Sequence, residues 1–190
     1  MIAFKFLAAG AVAPFTGFRW SRGQWVTAPA DRSDVWIHAC RLADLPYWLD
    51  DELWRMELDS PVHEARYQIA SPRGRLLERV EAWDGLLAVA YTHACAWRAR
   101  DVALPQLAPA VRDAVARAAS LEAIRAIDVA PGSLVGAYLA DVVKWGQRGL
   151  PAMTSYVSAV LASSSGGGLA AFESERAWQA RWLAERLRLE

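Results

Sequence analysis

Leu53-Trp54-Arg55-Met56-Glu57-Leu58-Asp59 is the stretch whose reading decides the fold. In an extended chain successive side chains point to opposite faces, so Trp54, Met56 and Leu58 share one side and Arg55, Glu57 and Asp59 the other. That alternation belongs to an antiparallel sheet with one face on a core and one in water. From residue 84 the rhythm changes. Leu87, Tyr91 (or Ala90), Ala94 and Trp97 recur at helical spacing, with Asp84 placed to cap.

Toward the N-terminus, Ile2, Phe4 and Phe6 share one face of a strand and Lys5 takes the other. A loop punctuated by Gly10, Pro14, Gly17 and Gly23 carries Phe15, Phe18, Trp20 and Trp25. Trp25-Val26-Thr27 reads as a short strand that stops at Pro29, and Val35 to Cys40 as a strand rich in β-branched and aromatic residues. Residues 42–50 suit a helical turn or two, with Asp44 as cap and Pro46 in the first turn. Tyr67 to Ala70 is a shorter strand candidate. Residues 73–83 fit either a helix or a strand.

Toward the C-terminus, Pro109 opens a helix through Ala119, Ser120 caps a short helix, and Ser133 caps one that ends at Gly146 or Gly149. Pro151 starts another, with Met153, Tyr156, Val157, Val160 and Leu161 read as inward. Ser163 to Gly168 is the chain's low-complexity stretch and reads as a flexible hinge. A last helix over 169–188 places Trp178 and Trp182 four apart, beside Leu183 and Leu187. Strands first and helices after make the expected class α+β: a small, mostly antiparallel sheet lobe over 1–83 and an all-helical lobe over 84–190, with the hinge near 163–168. The two lobes are also compatible with one compact unit.

Composition narrows the function. Hydrophobic residues at 54% and charged residues at 22% argue against global disorder. A formal net charge of zero gives no global field to recruit nucleic acid or an anionic membrane, and neither is expected as a partner. Nineteen arginines stand against two lysines, Lys5 and Lys144, a bias that coding composition explains as well as a need for guanidinium forks. The opening run carries Lys5 inside its apolar residues, where a signal peptide would set the charge ahead of them. No stretch reaches about 18 uncharged apolar residues, so no span is expected, and the cytoplasm is the default location.

Six of ten tryptophans lie in the first 83 residues: Trp20, Trp25, Trp36, Trp48, Trp54 and Trp83. They read as the core of a thin sheet or as a stacking platform for a ligand, with Trp20 and Trp25 the better ligand contacts because of their glycine-rich loop. His38-Ala39-Cys40 and His93-Ala94-Cys95 supply zinc-type ligands, but residues two apart on a helix diverge, so no shared metal site is expected. A Cys40–His38 nucleophile pair is also disfavoured, since alternate strand residues stand about 6.5–7 Å apart at their base. His38 alone, mid-strand beside Trp36, is the candidate general base, with Glu57 as first and Glu52 as second partner. Lys5 and Arg19 supply positive charge to the same cleft. The expected site is therefore His38 and Glu57 for catalysis, and Lys5, Arg19, Trp20, Trp25 and Trp36 for binding.

Lys5-Phe6-Leu7, Gly17-Phe18-Arg19-Trp20, Gly23-x-Trp25-Val26 and His38-Ala39-Cys40 together resemble an uncharacterised bacterial and phage domain, covering about residues 2–83. Trp36 stands where that domain carries a glycine. The segment 176–187 resembles the tail of actinobacterial relatives. A further similarity, to small ADP-ribosyltransferase-like domains, rests on the Ile37-His38 pair and would make Glu57 the acidic strand residue beside a nicotinamide pocket. Three functional expectations follow. The first is a module binding a small molecule or protein partner in an aromatic-lined cleft. The second is an enzyme acting on a nucleotide-like or other small substrate through His38 and Glu57. The third is an assembly role, with self-association through the C-terminal helices. The sequence names no cofactor.

Overall fold

The computed structural model describes residues 1–29, 36–130 and 132–189. It is an α+β protein: among the described residues, seven strands between Ile2 and Arg79, then helices from Gly85 to Leu187. The strands are β1 (Ile2–Leu7), β2 (Val26–Thr27), β3 (Ile37–Ala39), β4 (Glu52–Leu58), β5 (His63–Ala65), β6 (Gln68–Ser71) and β7 (Arg73–Arg79). A four-stranded sheet runs β1-β4-β7-β2 and a three-stranded sheet runs β3-β6-β5, every pairing antiparallel. Val35 of the expected strand, and Pro131 of the expected turn at 130–133, lie outside the described residues.

The two sheets share their boundaries. β6 passes into β7 through Pro72, a residue with no N–H to donate to either ladder. On the other side, Phe4 and Cys40 exchange both backbone bonds (2.9 and 2.7 Å). Pairing thus closes a circuit: β1 to β4, β4 to β7, β7 onward from β6, β6 to β3, and β3 back to β1 through Cys40. The residues on the inner face, Ala3, Leu7, Ile37, Ala39, Met56, Leu58, Ile69 and Leu76, form one core cluster with Trp20. Gly74 sits where β7 is flanked by β4 and β2, and a Cβ there would stand 3.0 Å from Leu58 and 3.2 Å from the Glu57 carbonyl.

Several expectations are corrected. Residues 73–79 are a strand: Leu76 is fully buried against β4, and that cross-strand burial decides between two readings the local pattern left open. β4 has no simple wet face, because Leu53 is as buried as Met56. The turn at 42–47 begins after Arg41, so Asp44 and Pro46 lie inside it, and Asp44 accepts from the Arg41 guanidinium instead of capping.

The helices are α1 (Gly85–Ala103), α2 (Pro109–Arg117), α3 (Leu121–Arg125), α4 (Leu134–Gln147), α5 (Pro151–Ala162) and α6 (Gly168–Leu187). Ser120 and Ser133 cap α3 and α4 by accepting from Ala123 and Gly136. The buried stripe of α1 is Tyr91, Cys95 and Ala99 with Thr92, Ala96 and Ala103; of the expected line Leu87, Tyr91 (or Ala90), Ala94 and Trp97, Tyr91 is buried, while Leu87, Ala94 and Trp97 lie at the stripe's edge, partly exposed. On α5 the expected inward residues Met153 and Tyr156 are exposed, and Thr154, Ser155, Ser158 and Ala159 are buried. The hydroxyls of Thr154 and Ser158 bond back to carbonyls one turn earlier, so these small residues bury like alanine. Residues Ser163–Gly167 form a π-type turn before α6, with Gly166 and Gly168 at positive φ.

By their contacts the residues divide into two units, one of Met1–Asp84 with Leu183–Glu190 and one of Gly85–Trp182. The second has its own core around Val115, Ile124, Leu139, Val142, Val143 and Leu161. No described helix is long and apolar enough to cross a membrane.

Candidate functional site

The edge of β1 that faces β3 sets the site. In an antiparallel ladder each hydrogen-bonded pair is followed, two residues on, by the next. Phe4 pairs with Cys40 in this way, so the following rung would join Phe6 to His38. That rung is not made. The His38 carbonyl instead accepts from the Lys5 ammonium. Further along the same edge, Ala8 and Val12 exchange backbone bonds of 2.9 and 3.2 Å as the chain turns into the glycine-rich loop. Among the described residues the backbone of Phe6 therefore lacks a partner on this edge, and the strands part between one closed rung and the loop.

A cavity of about 580 Å³ opens at this parting. Its wall carries eight aromatic side chains, among them Phe6, Phe15, Trp20, Trp36 and Trp48. Phe18 meets Trp20 edge to face at 5.3 Å, and Trp36 meets His63 at 4.5 Å. The Trp48 indole donates to the Tyr67 carbonyl at 2.7 Å, which fixes that wall. Phe15 is 87% exposed, a large apolar ring held in water at the rim.

Of the residues singled out from sequence, Lys5, Trp20, Trp36 and His38 line this cavity, and Arg19, Trp25 and Glu57 do not. Glu57 lies on β4, separated from His38 by β1, and Arg75 of β7 engages its carboxylate at 2.7 and 2.8 Å. Trp25 is covered by the guanidinium groups of Arg73 and Arg75, at 4.4 and 4.8 Å from its ring centre. Arg19 packs back on its own loop, 3.5 Å from the Gly10 carbonyl. Glu52, the second expected partner of His38, also has another task. Its carboxylate accepts from the amides of Gly10 and Ala11 and from the Trp54 indole, all at 2.9–3.1 Å.

The charged groups of the wall are few. Lys5 is half-buried, its Nζ lies 5.6 Å from the Trp20 ring centre, and no carboxylate of the described residues pairs with it. Desolvation lowers its pKa from 10.5 to about 8, the neighbouring Cys40 opposing that slightly. His38 is shifted down by desolvation and by Lys5, against a bond from Gln68, so its imidazole is neutral at pH 7. Cys40 is buried and its thiol is pushed far up by desolvation and by Asp44, which leaves it an inert thiol. Asp50 is shifted up, chiefly by desolvation, and its Oδ1 accepts from the Asp51 amide at 2.9 Å. Among the described residues the buried Trp20 Nε1 and His38 Nδ1 have no hydrogen-bond partner, and both belong to this wall.

The chain matches no family model, no curated protein and no solved structure. Its site is read from its own geometry. Among the described residues no three His, Cys, Asp or Glu side chains gather as a metal would require; His93 is exposed while Cys95 is buried. Sequence reasoning passed over Tyr47, Trp48, Leu49 and Asp50 as site residues, although they form one wall. The signal was the run Tyr47-Trp48-Leu49 at the end of the short helix after β3, three large side chains in a row.

Proposed function

We propose that this chain is a binding module for a small molecule with a largely apolar, flat body, held in the cavity between β1, β3 and the loop of residues 10–23. The observation that carries this reading is the parted ladder: an aromatic cavity opens where a backbone rung is missing, and unsatisfied polar groups lie in its wall. Ligand sites have this composition, a concave apolar volume of roughly 300–1,000 Å³ with a few fixed polar groups. A purely structural cluster of this size would close on itself, since interiors pack to crystal density. Pairing of His38 with Glu57 as acid and base is not part of the proposal, because Arg75 already engages Glu57.

Filling the cavity tests the reading with less damage than truncating its wall. Thr27 lines the cavity from exposed strand β2, so Thr27→Trp adds bulk at the mouth and removes no core contact. Neutral 2-naphthamide is expected to quench tryptophan emission of the native chain saturably and to raise its melting temperature. In Thr27→Trp both responses should be lost while the unfolding midpoint stays within about 0.5 kcal/mol of the native value. Equal responses in the two proteins would overturn the assignment of this cavity.

A further inference from the structure

The cavity has one group that its protein surroundings leave incomplete. Lys5 projects from β1, and its ammonium has three hydrogens and, among the described residues, one acceptor, the His38 carbonyl. No carboxylate of the described residues pairs with it, and Asp50, the carboxylate of the described wall, is bonded to the Asp51 amide. A desolvated cation is costly unless an opposite charge meets it. Beside it the unmade rung leaves the Phe6 amide, and the His38 amide on the same edge, as donors with no acceptor across the parting among the described residues. Three donors therefore surround the parting of β1 and β3, and the rest of the wall is predominantly apolar, with eight aromatic side chains.

We infer that the ligand of this cavity is an apolar monocarboxylate, whose carboxylate is bound by the Lys5 ammonium and the free Phe6 and His38 amides, and whose body packs among the aromatic side chains. This rests on the binding role proposed above and names the ligand class. One cation and two amides suit a single negative charge. A dianion such as a phosphate monoester would bring a second charge into an apolar volume with nothing to compensate it.

Binding should also couple to protons. Among the described residues the titratable groups around Lys5 are His38 and Cys40 across the parting, Asp44 beside Cys40, and Asp50 in the cavity wall. His38 is shifted down and is neutral above pH 7, Cys40 is shifted far up and stays a thiol, and Asp50 is shifted up, chiefly by desolvation. The Lys5 ammonium, lowered to a pKa of about 8 in the empty site, loses its charge between pH 7 and 10. A carboxylate selects the ammonium form, so affinity should fall as pH rises past that value, toward tenfold per unit.

The experiment compares 2-naphthoate with its uncharged isostere 2-naphthamide, in the full chain and in Lys5→Met, by titration calorimetry. The expected result is that naphthoate binds at least tenfold more tightly than the amide, and that Lys5→Met removes the preference. Equal binding of both probes by the native chain would overturn the carboxylate assignment and leave the binding module standing. A preference retained in Lys5→Met would overturn the role of Lys5. Binding of neither probe would remove both the module and its ligand class. Should Lys5→Met fail to fold, the native chain alone decides: naphthoate affinity that declines above pH 8 with net proton uptake supports the inference, and a pH-independent affinity overturns it.

Discussion

At the scale of single residues, the loop that frames the cavity hangs on Glu52. Its carboxylate is 8% exposed, and it takes the amides of Gly10 and Ala11 and the indole of Trp54, with Arg79 at 3.5 Å. Burial pushes this carboxyl up, but the three donors and the Arg79 charge outweigh it and hold the pKa below the ordinary glutamate value. A group depressed in the folded state stabilises the fold above its unfolded pKa, and that contribution is lost as pH falls through the folded value. Glu52→Ala should therefore cost about 2 kcal/mol at pH 7, since two amides and an indole lose their acceptor. The difference between native and variant stability should shrink as pH is lowered below about 4.5. Denaturant titrations at pH 7, 5 and 3 check this, and a difference constant across that range would deny Glu52 its role as the ionised clamp. In the sequence Glu52 stood at the edge of a clear strand and drew notice only as a partner for His38. Its partners are backbone amides of another segment, which no pattern of side chains displays.

At the scale of elements, the strands and helices were legible to different depths. β4 declared itself because alternation survives in the letters, and Ser120 and Ser133 because a cap needs a small oxygen next to a helical run. The inward face of α5 was misread because hydrophobicity was taken as the mark of burial, whereas its serines satisfy themselves within the helix. Their smallness leaves room for a polar seam that joins α1, α5 and α6 inside the helical unit. Gln179 donates to the Ser155 carbonyl at 2.9 Å, Arg176 to the Ser155 hydroxyl at 3.2 Å, and Arg98 to Glu175 at 2.6 Å. Glu175 is 3% exposed while Arg98 keeps 38% of its surface in water, so the pair is half screened. Removing the cation alone strands a buried carboxylate, and Arg98→Ala should cost about 2 kcal/mol, below the 3–5 kcal/mol of a fully buried pair. Neutralising the stranded group in Arg98→Ala/Glu175→Gln should recover part of that loss. Urea midpoints of both variants decide the matter, and strict additivity of the two single changes would show the pair to be uncoupled.

At the scale of the whole molecule, the chain order misleads about where stability comes from. The change of rhythm near residue 84 marks where sheet gives way to helix, but the last residues, from Leu183, group with Met1–Asp84 and not with the helices that precede them. Nothing in the period of α6 announces this, because Leu183 and Leu187 continue the spacing of Trp178 and Trp182. Leu183 is fully buried, and Leu187 and Leu189 are 5% and 8% exposed. A buried leucine truncated to alanine costs about 2–5 kcal/mol, by lost transfer energy and by the void left behind. Leu183→Ala should therefore loosen the unit that holds the cavity, although it lies far along the sequence from β1. Native-state hydrogen exchange tests this directly, because it assigns a free energy of opening to each segment. Amides of β1 and β4 should exchange faster in Leu183→Ala, while those of α4 and α5 keep their protection. If faster exchange is confined to α4 and α5 instead, Leu183 stabilises the helical unit and its grouping with the sheet is wrong.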